Sequence, residues 1–344
     1  MNSQSASAFN RSAIVAPLLA LLYPFFLQGF NETIGTFLSK GLYANPVSWI
    51  FAVFFLASAL AVPLVAFAFA VKFSKIAKPT DDDRRAKGIA LLAVATPPIF
   101  TFIGVLFYMA GVSMFDKWLV TFFWLALIGS LVWPRKKAVI RCQNPVSPKP
   151  IAAHGISALF IIIFFLLLHI SNHLFGLTGP AAQMAVMKTL RIFYRSTNIE
   201  PILVVFFLFQ IASGIYLIQK NIDRPGDSFR TFQIASGVYL VFFLMSHMNA
   251  VFIFARTFMG IDSDWNFATG APTGLLKDPW NIRLVPLYLF AVFFALMHSL
   301  SGMRFALLKQ GFSKTILNRL VVIGSIFSAG IAILISLGMC GWHV

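Results

Sequence analysis

Long apolar runs, separated by short polar and basic stretches, fill almost the whole chain. Nine runs reach the ~20 residues that a hydrocarbon core ~30 Å thick asks of a helix. They lie at roughly 12–30, 47–72, 88–112, 115–134, 151–173, 201–219, 232–258, 283–308 and 316–338. Backbone N–H and C=O groups find no water in lipid, so each run must satisfy them internally as a helix. The pattern therefore predicts an all-α, polytopic membrane protein with about nine transmembrane helices. The pair Pro97-Pro98 falls inside the third run and predicts a kink there.

Composition agrees with the pattern: 59% of the 344 residues are hydrophobic, 11% are charged, and the mean hydropathy is +0.83. The net charge of +16 would suit a nucleic-acid partner if it were clustered on a soluble face. Instead the Lys and Arg residues gather in alternate connections: 72–87, 135–149, 220–230 and 304–319. That asymmetry is the positive-inside bias. It predicts a cytoplasmic N-terminus, an external C-terminus, and the lipid bilayer, not nucleic acid, as the partner of the basic residues. A bacterial inner membrane is the expected location. Cys142 and Cys340 fall on opposite sides in this topology and do not pair. Glu32, Asp116 and Lys117 sit at outer helix ends and are expected to be solvated.

The stretch 136–150, basic and proline-rich, reads as a cytoplasmic linker. It separates a four-helix module at 1–135, which holds no histidine, from a five-helix module at 151–344, which holds all six. Ionisable and polar side chains inside membrane helices are costly, and each is by default a functional-site hypothesis. His169, Gln210, His247 and His298 fall one to a helix. At 1.5 Å of rise per residue, His169 and His247 reach matching heights in the outer half, and Gln210 and His298 both fall in the inner half. A lone histidine could equally be a helix–helix hydrogen bond. Two imidazoles facing each other at one depth are also what a b-type haem takes as axial ligands. His173, one turn beyond His169, reads as an interfacial residue.

Gln210 and His298 share the pattern ligand-x-x-Ser-Gly, with Ser213 and Gly214 after the first, Ser301 and Gly302 after the second. A glycine one turn from a ligand leaves room for a macrocycle, or for a close helix contact. The nonapeptides FQIASGIYL, from Phe209, and FQIASGVYL, from Phe232, nearly repeat each other. Because Gln233 lies at the inner rim, fourteen residues before His247, the repeat is expected to reflect packing and not a shared site.

From about His154 to Met339 the chain resembles the cytochrome b membrane anchor of succinate:quinone and fumarate:quinone oxidoreductases, in its single-chain, five-helix, di-haem form. The resemblance rests on HGISALFIIIFFLLLHISNH at 154–173, FQIASGIYL at 209–217, FQIASGVYLVFFLMSHM at 232–248 and MHSLSGMRFAL at 297–307. It implies an outer haem b held by His169 and His247, and an inner site made by the second and fourth helices. There Gln210 stands where the family has histidine. The inner haem is then absent, held by His298 alone, or weakly ligated by Gln210; one haem is the expectation. The resemblance further implies electron transfer between quinone and flavoprotein and iron–sulfur partner subunits, with His154 and Gln233 as quinone candidates. A membrane sensor or structural subunit that keeps the fold with one haem or none is the alternative.

Overall fold

In the computed structural model, residues 10–35, 37, 45–133 and 146–344 are described. Most of the expected linker, with Cys142, lies outside them, as does the N-terminal tip. The described chain is helical throughout its apolar runs. Eight helices are long and apolar enough to cross a membrane, and a bent pair brings the number to nine if it makes one span.

The first helix, α1 (Val15–Phe30), buries Ala16, Ala20, Tyr23 and Leu27 at three- and four-residue spacing. Its partner α2 (Pro46–Ser74) buries Ala52, Ala59, Ala66 and Ala70 along one stripe. Small side chains let the two backbones approach, which is the main source of helix attraction where lipid is as apolar as leucine. Asn45 caps α2, accepting from Ser48 N, and Pro46 occupies the first helical position where its missing N–H costs nothing.

The third span is broken. Helix α3 (Asp81–Val94) begins with a reciprocal capping box between Thr80 and Asp83, and three aspartates in its first turn favour the positive end of the dipole. It stops at Ala95, and α4 (Thr96–Met109) leaves at 65°. Pro97 and Pro98 supply no N–H, so the turn before them loses its ladder hydrogen bonds. Thr96 Oγ1 donates to Ala93 O at 2.7 Å across the break. Helix α5 (Asp116–Val132) completes this half.

In the second half, α6 (Pro148–Ile161) continues through a π turn (Ile162–Leu166) into α7 (Leu167–Leu174). A helix missing from the apolar pattern follows: α8 (Pro180–Tyr194), too short and too mixed to span. Then come α9 (Ile199–Asn221) and α10 (Ser228–Met248), the latter prolonged by a π segment at Asn249–Met259. A short helix, α11 (Trp265–Thr269), precedes α12 (Leu284–Lys309) and α13 (Lys314–Met339).

One core runs through both halves. It includes Tyr23, Ala90 and Phe100 of the first half together with Ala235, Tyr239, Phe290 and Phe294 of the second. Helix α10 packs against α2, α3 and α4 on one side and against α9 and α12 on the other. By contrast, only 6% of the α9 span and 11% of the α6–α7 span is buried within the chain, so these two present their apolar faces to lipid.

The two halves are also fastened at both ends. At one end, the inner one on the expectation from the basic connections, Arg84 pairs with Asp223, Lys87 Nζ donates to Arg224 O at 2.8 Å, and Gly226 N donates to Ser74 O at 2.8 Å. At the outer end Arg283 Nη1 donates to Asp116 Oδ2 at 2.8 Å. This corrects the expectation for Asp116: it is 7% exposed, and its partner Arg283 is 6% exposed between Phe100 and Trp280. Glu32 does remain at the surface, beside Gln28.

Candidate functional site

Two histidine pairs stand one above the other in the second half, built from three of the four spans that the pattern singled out: α6–α7, α10 and α12.

In the outer pair, His169 of α7 and His247 of α10 approach with ring centroids 6.0 Å apart and planes at 64°. Each imidazole stacks on a phenylalanine one turn earlier on its own helix, Phe165 for His169 and Phe243 for His247. The stacking fixes ring orientation without using a ring nitrogen. His173 lies edge-on to His169 at 4.7 Å. Both helices that supply this pair carry a π turn close to their histidine, at Ile162–Leu166 and Asn249–Met259. An inserted residue of this kind re-aims the side chains that follow or precede it.

The outer pair borders a cavity of about 250 Å³ lined largely by apolar and aromatic residues, Leu203, Phe207, Leu244 and Tyr288 among them. Its wall also holds polar atoms that are buried and have no hydrogen-bond partner: Asn172 Oδ1, His173 Nδ1, Gln183 Oε1 and Arg256 Nε. An unmet buried polar group costs about 1–3 kcal/mol. Four around one largely apolar space leave room there for an occupant that brings polar groups as well as apolar surface.

Three guanidiniums ring the outer mouth. Arg191 donates to Ser263 O at 2.9 Å, Arg195 to Asp262 Oδ1 at 3.1 Å, and Arg256 pairs with Glu200 at 2.8 Å. Asp262 and Glu200 are each shared between two of these arginines, and Asp264 lies on the same wall. The hydrogen bond from Arg195 holds the Asp262 carboxyl below its ordinary pKa, and burial pushes the Tyr194 hydroxyl up. Sequence reading missed this cluster because α8 is shorter than a span. Its signal was there in the four-residue spacing of Arg191 and Arg195, which puts both on one helix face.

In the inner pair the partners differ from those predicted. His298 of α12 meets His154 of α6, with ring centroids 6.4 Å apart and planes at 85°. Gln210 does not share in that contact: its amide donates to His154 O at 2.9 Å and to Ser157 Oγ. Both donors of the amide are thereby directed at α6.

The two nonapeptides turn out to do the same thing, against expectation. Ser213 Oγ lies 2.8 Å from His154 Nδ1, and Ser236 Oγ lies 2.9 Å from His298 Nδ1. Each serine Oγ also lies within donating reach of the carbonyl four residues back, Phe209 O at 2.6 Å and Phe232 O at 2.8 Å. A hydroxyl has one proton to donate, so a serine that gives it to the backbone accepts from Nδ1–H. The glycine after each serine lies against the same ring: a Cβ on Gly214 would stand 3.8 Å from His154 Cε1, and one on Gly237 would stand 3.3 Å from His298 Cε1.

Gln233 lies close to His298, its amide nitrogen 3.3 Å from Nδ1 and 3.2 Å from Nε2. A position almost equidistant from both nitrogens is above the ring, in line with neither lone pair. Its Oε1 is buried without a partner, as is Ser301 Oγ. A Cβ on Gly302 would stand 3.6 Å from the Gln233 amide nitrogen.

Among the described residues no group of three or more His, Cys, Asp or Glu could hold a bare metal ion. Neither a family model, nor a curated protein, nor a solved structure matches this chain.

Proposed function

We propose that the chain is a haem b-binding integral membrane subunit of a redox complex, passing electrons between quinone and partner subunits. The observation that carries the proposal is the outer pair beside its cavity. With metal–imidazole bonds of about 2 Å, two imidazoles on opposite sides of one ion have ring centroids roughly 6 Å apart. His169 and His247 stand at 6.0 Å before any ion is considered. Two ligands and an apolar slot suit an iron porphyrin, which brings its own four equatorial nitrogens, whereas a bare zinc ion asks for three or four protein ligands.

Each residue's part follows from its place. His169 and His247 would hold the iron, and Phe165 and Phe243 keep their rings turned. Leu203, Phe207 and Leu244 exclude water from the slot. Arg191, Arg195 and Arg256 would offer guanidinium donors to carboxylates emerging at the mouth, in exchange for their present partners Asp262 and Glu200. The porphyrin supplies a one-electron couple when bound. The flavin, the iron–sulfur clusters and the quinone belong to the proposal as partners, docked from the inner side in the bacterial plasma-membrane orientation that the basic connections favour.

The test is spectroscopic. Purified full-length protein should show a Soret band and a reduced-minus-oxidised b-type α-band. His169→Ala and His247→Ala should each remove the low-spin signal of one centre. A purified chain without Soret absorption, or a double variant with an unchanged spectrum, overturns the reading.

A further inference from the structure

We infer that the connection 260–264 is a latched lid over the mouth of the cavity beside His169 and His247, held to α8 by Arg191 and Arg195, and that the occupant of the cavity enters when the latch lets go. The inference rests on the outer-centre reading for what enters, but on different residues for how it enters.

The connection has no helix of its own and runs between two fixed ends. At the first, Gly260 closes the π segment in the left-handed region, at φ +65°, and Ile261 N donates back to Ala255 O at 3.0 Å. At the second, Asp264 caps α11 by accepting from Phe267 N at 3.0 Å. The next residue, Trp265, is buried, and its ring lies so close to Gly176 that a Cβ there would collide with it. Between these ends, Ser263 and Asp264 line the cavity, whereas the Asp262 side chain is 66% exposed. The segment therefore has the cavity on one side and solvent on the other.

Side chains of α8 hold its middle. Arg191 donates to Ser263 O at 2.9 Å and stands 3.6 Å from Asp262, and Arg195 donates to Asp262 Oδ1 at 3.1 Å. Arg195 also reaches Glu200 at 3.9 Å, and Glu200 pairs with Arg256 at 2.8 Å, so the lacing extends to α9 and to the π segment. An ion pair with one well-exposed partner is weak and screened by salt. Such a pair suits a closure that must open, while Trp265 and the capped α11 supply the edge that stays. An occupant with ionised groups meets a high cost in the hydrocarbon, so its route lies through the aqueous mouth, past this segment. Its carboxylates then compete with Asp262 for the same guanidiniums, which makes the latch a property of the empty site.

Uptake of hemin by haem-free, full-length protein, followed as growth of the Soret band, tests this. Asp262→Ala should speed uptake by roughly threefold to tenfold, the worth of two weak ion pairs, and Asp262→Glu should restore the wild-type rate. Salt on the order of 1 M, where the Debye length is about 3 Å, should speed the wild type and leave Asp262→Ala nearly unchanged. Lys188→Ala, which removes an exposed charge of α8 outside the latch, should behave as wild type. A readout without haem runs beside it: labelling of Ala291→Cys, on the buried wall of the cavity, by a small water-soluble methanethiosulfonate. With Cys142 and Cys340 replaced by serine, Asp262→Ala should speed that labelling by a similar factor. Hemin uptake and labelling that both ignore Asp262→Ala overturn the lid and leave the outer centre standing. Faster labelling in a chain that takes up no hemin overturns the outer centre and leaves the lid. No uptake together with unchanged labelling overturns both.

Discussion

The Arg283–Asp116 pair shows how much a single side chain can depend on a distant one. Both groups are buried, and the guanidinium also lies over Phe100 at 4.3 Å and Trp280 at 4.5 Å. Removing one partner from a buried pair strands the other charge and costs about 3–5 kcal/mol. Asp116→Asn should therefore destabilise by that order in a detergent unfolding titration, and adding Arg283→Met should recover most of the loss. Gly104→Ala should act like Asp116→Asn, because its Cβ would collide with the Arg283 guanidinium. None of this was legible from the sequence. Asp116 reads as a helix-end residue, and its partner is 167 positions away. His169 and His247, by comparison, were legible as neighbours because depth along a span follows from residue count alone. His154 was not: rise along the helix placed it near the surface, but whether it faces His298 depends on rotation about the helix axis, which no apolar run fixes.

At the scale of elements, length and apolarity made the spans readable, and what escaped was what breaks the α period. The bend between α3 and α4 was foreshadowed by Pro97-Pro98, though its 65° angle reflects packing against α10 as well as lost hydrogen bonds. Replacing both prolines with alanine should restore N–H donors and open the angle. Spin labels at Asp82 and Tyr108 should then report a longer separation; an unchanged distance would mean that packing alone holds the bend. The π turns beside His169 and His247 carried no signal, since one extra residue in a turn looks like any other apolar residue. Helix α8 escaped because fifteen residues are too few to span. The tandem nonapeptide was visible, but its meaning was not. Two antiparallel helices present the same serine and glycine to two different histidines, a relation that exists only between elements.

At the scale of the molecule, the first half covers the face of α10 that carries Ala235, Tyr239 and Thr231, all nearly inaccessible. The polar and ionic fasteners at Asp116, Lys87 and Ser74 secure the contact at both ends of the bundle. A fragment comprising residues 146–344 should accordingly lose thermal stability and aggregate in detergent. A fragment as stable as the full chain would make the first half an appendage. The sequence pattern divided the chain at its polar linker, since apolar runs register where helices are and not which of them share a core. That arrangement has a consequence for the order in which the protein is made. The α10 face meets a waiting surface, because α1–α5 leave the ribosome first. His247 follows, and only then can the upper histidine pair close; the lower pair must wait for His298. At about 5–20 residues per second, synthesis leaves an interval of seconds between the two pairs, and the cavity beside the upper one, whose wall includes Tyr288, Ile335 and Met339, is completed only by the last helix. Assembly of the two histidine pairs is thereby given an order in time, written into the succession of helices.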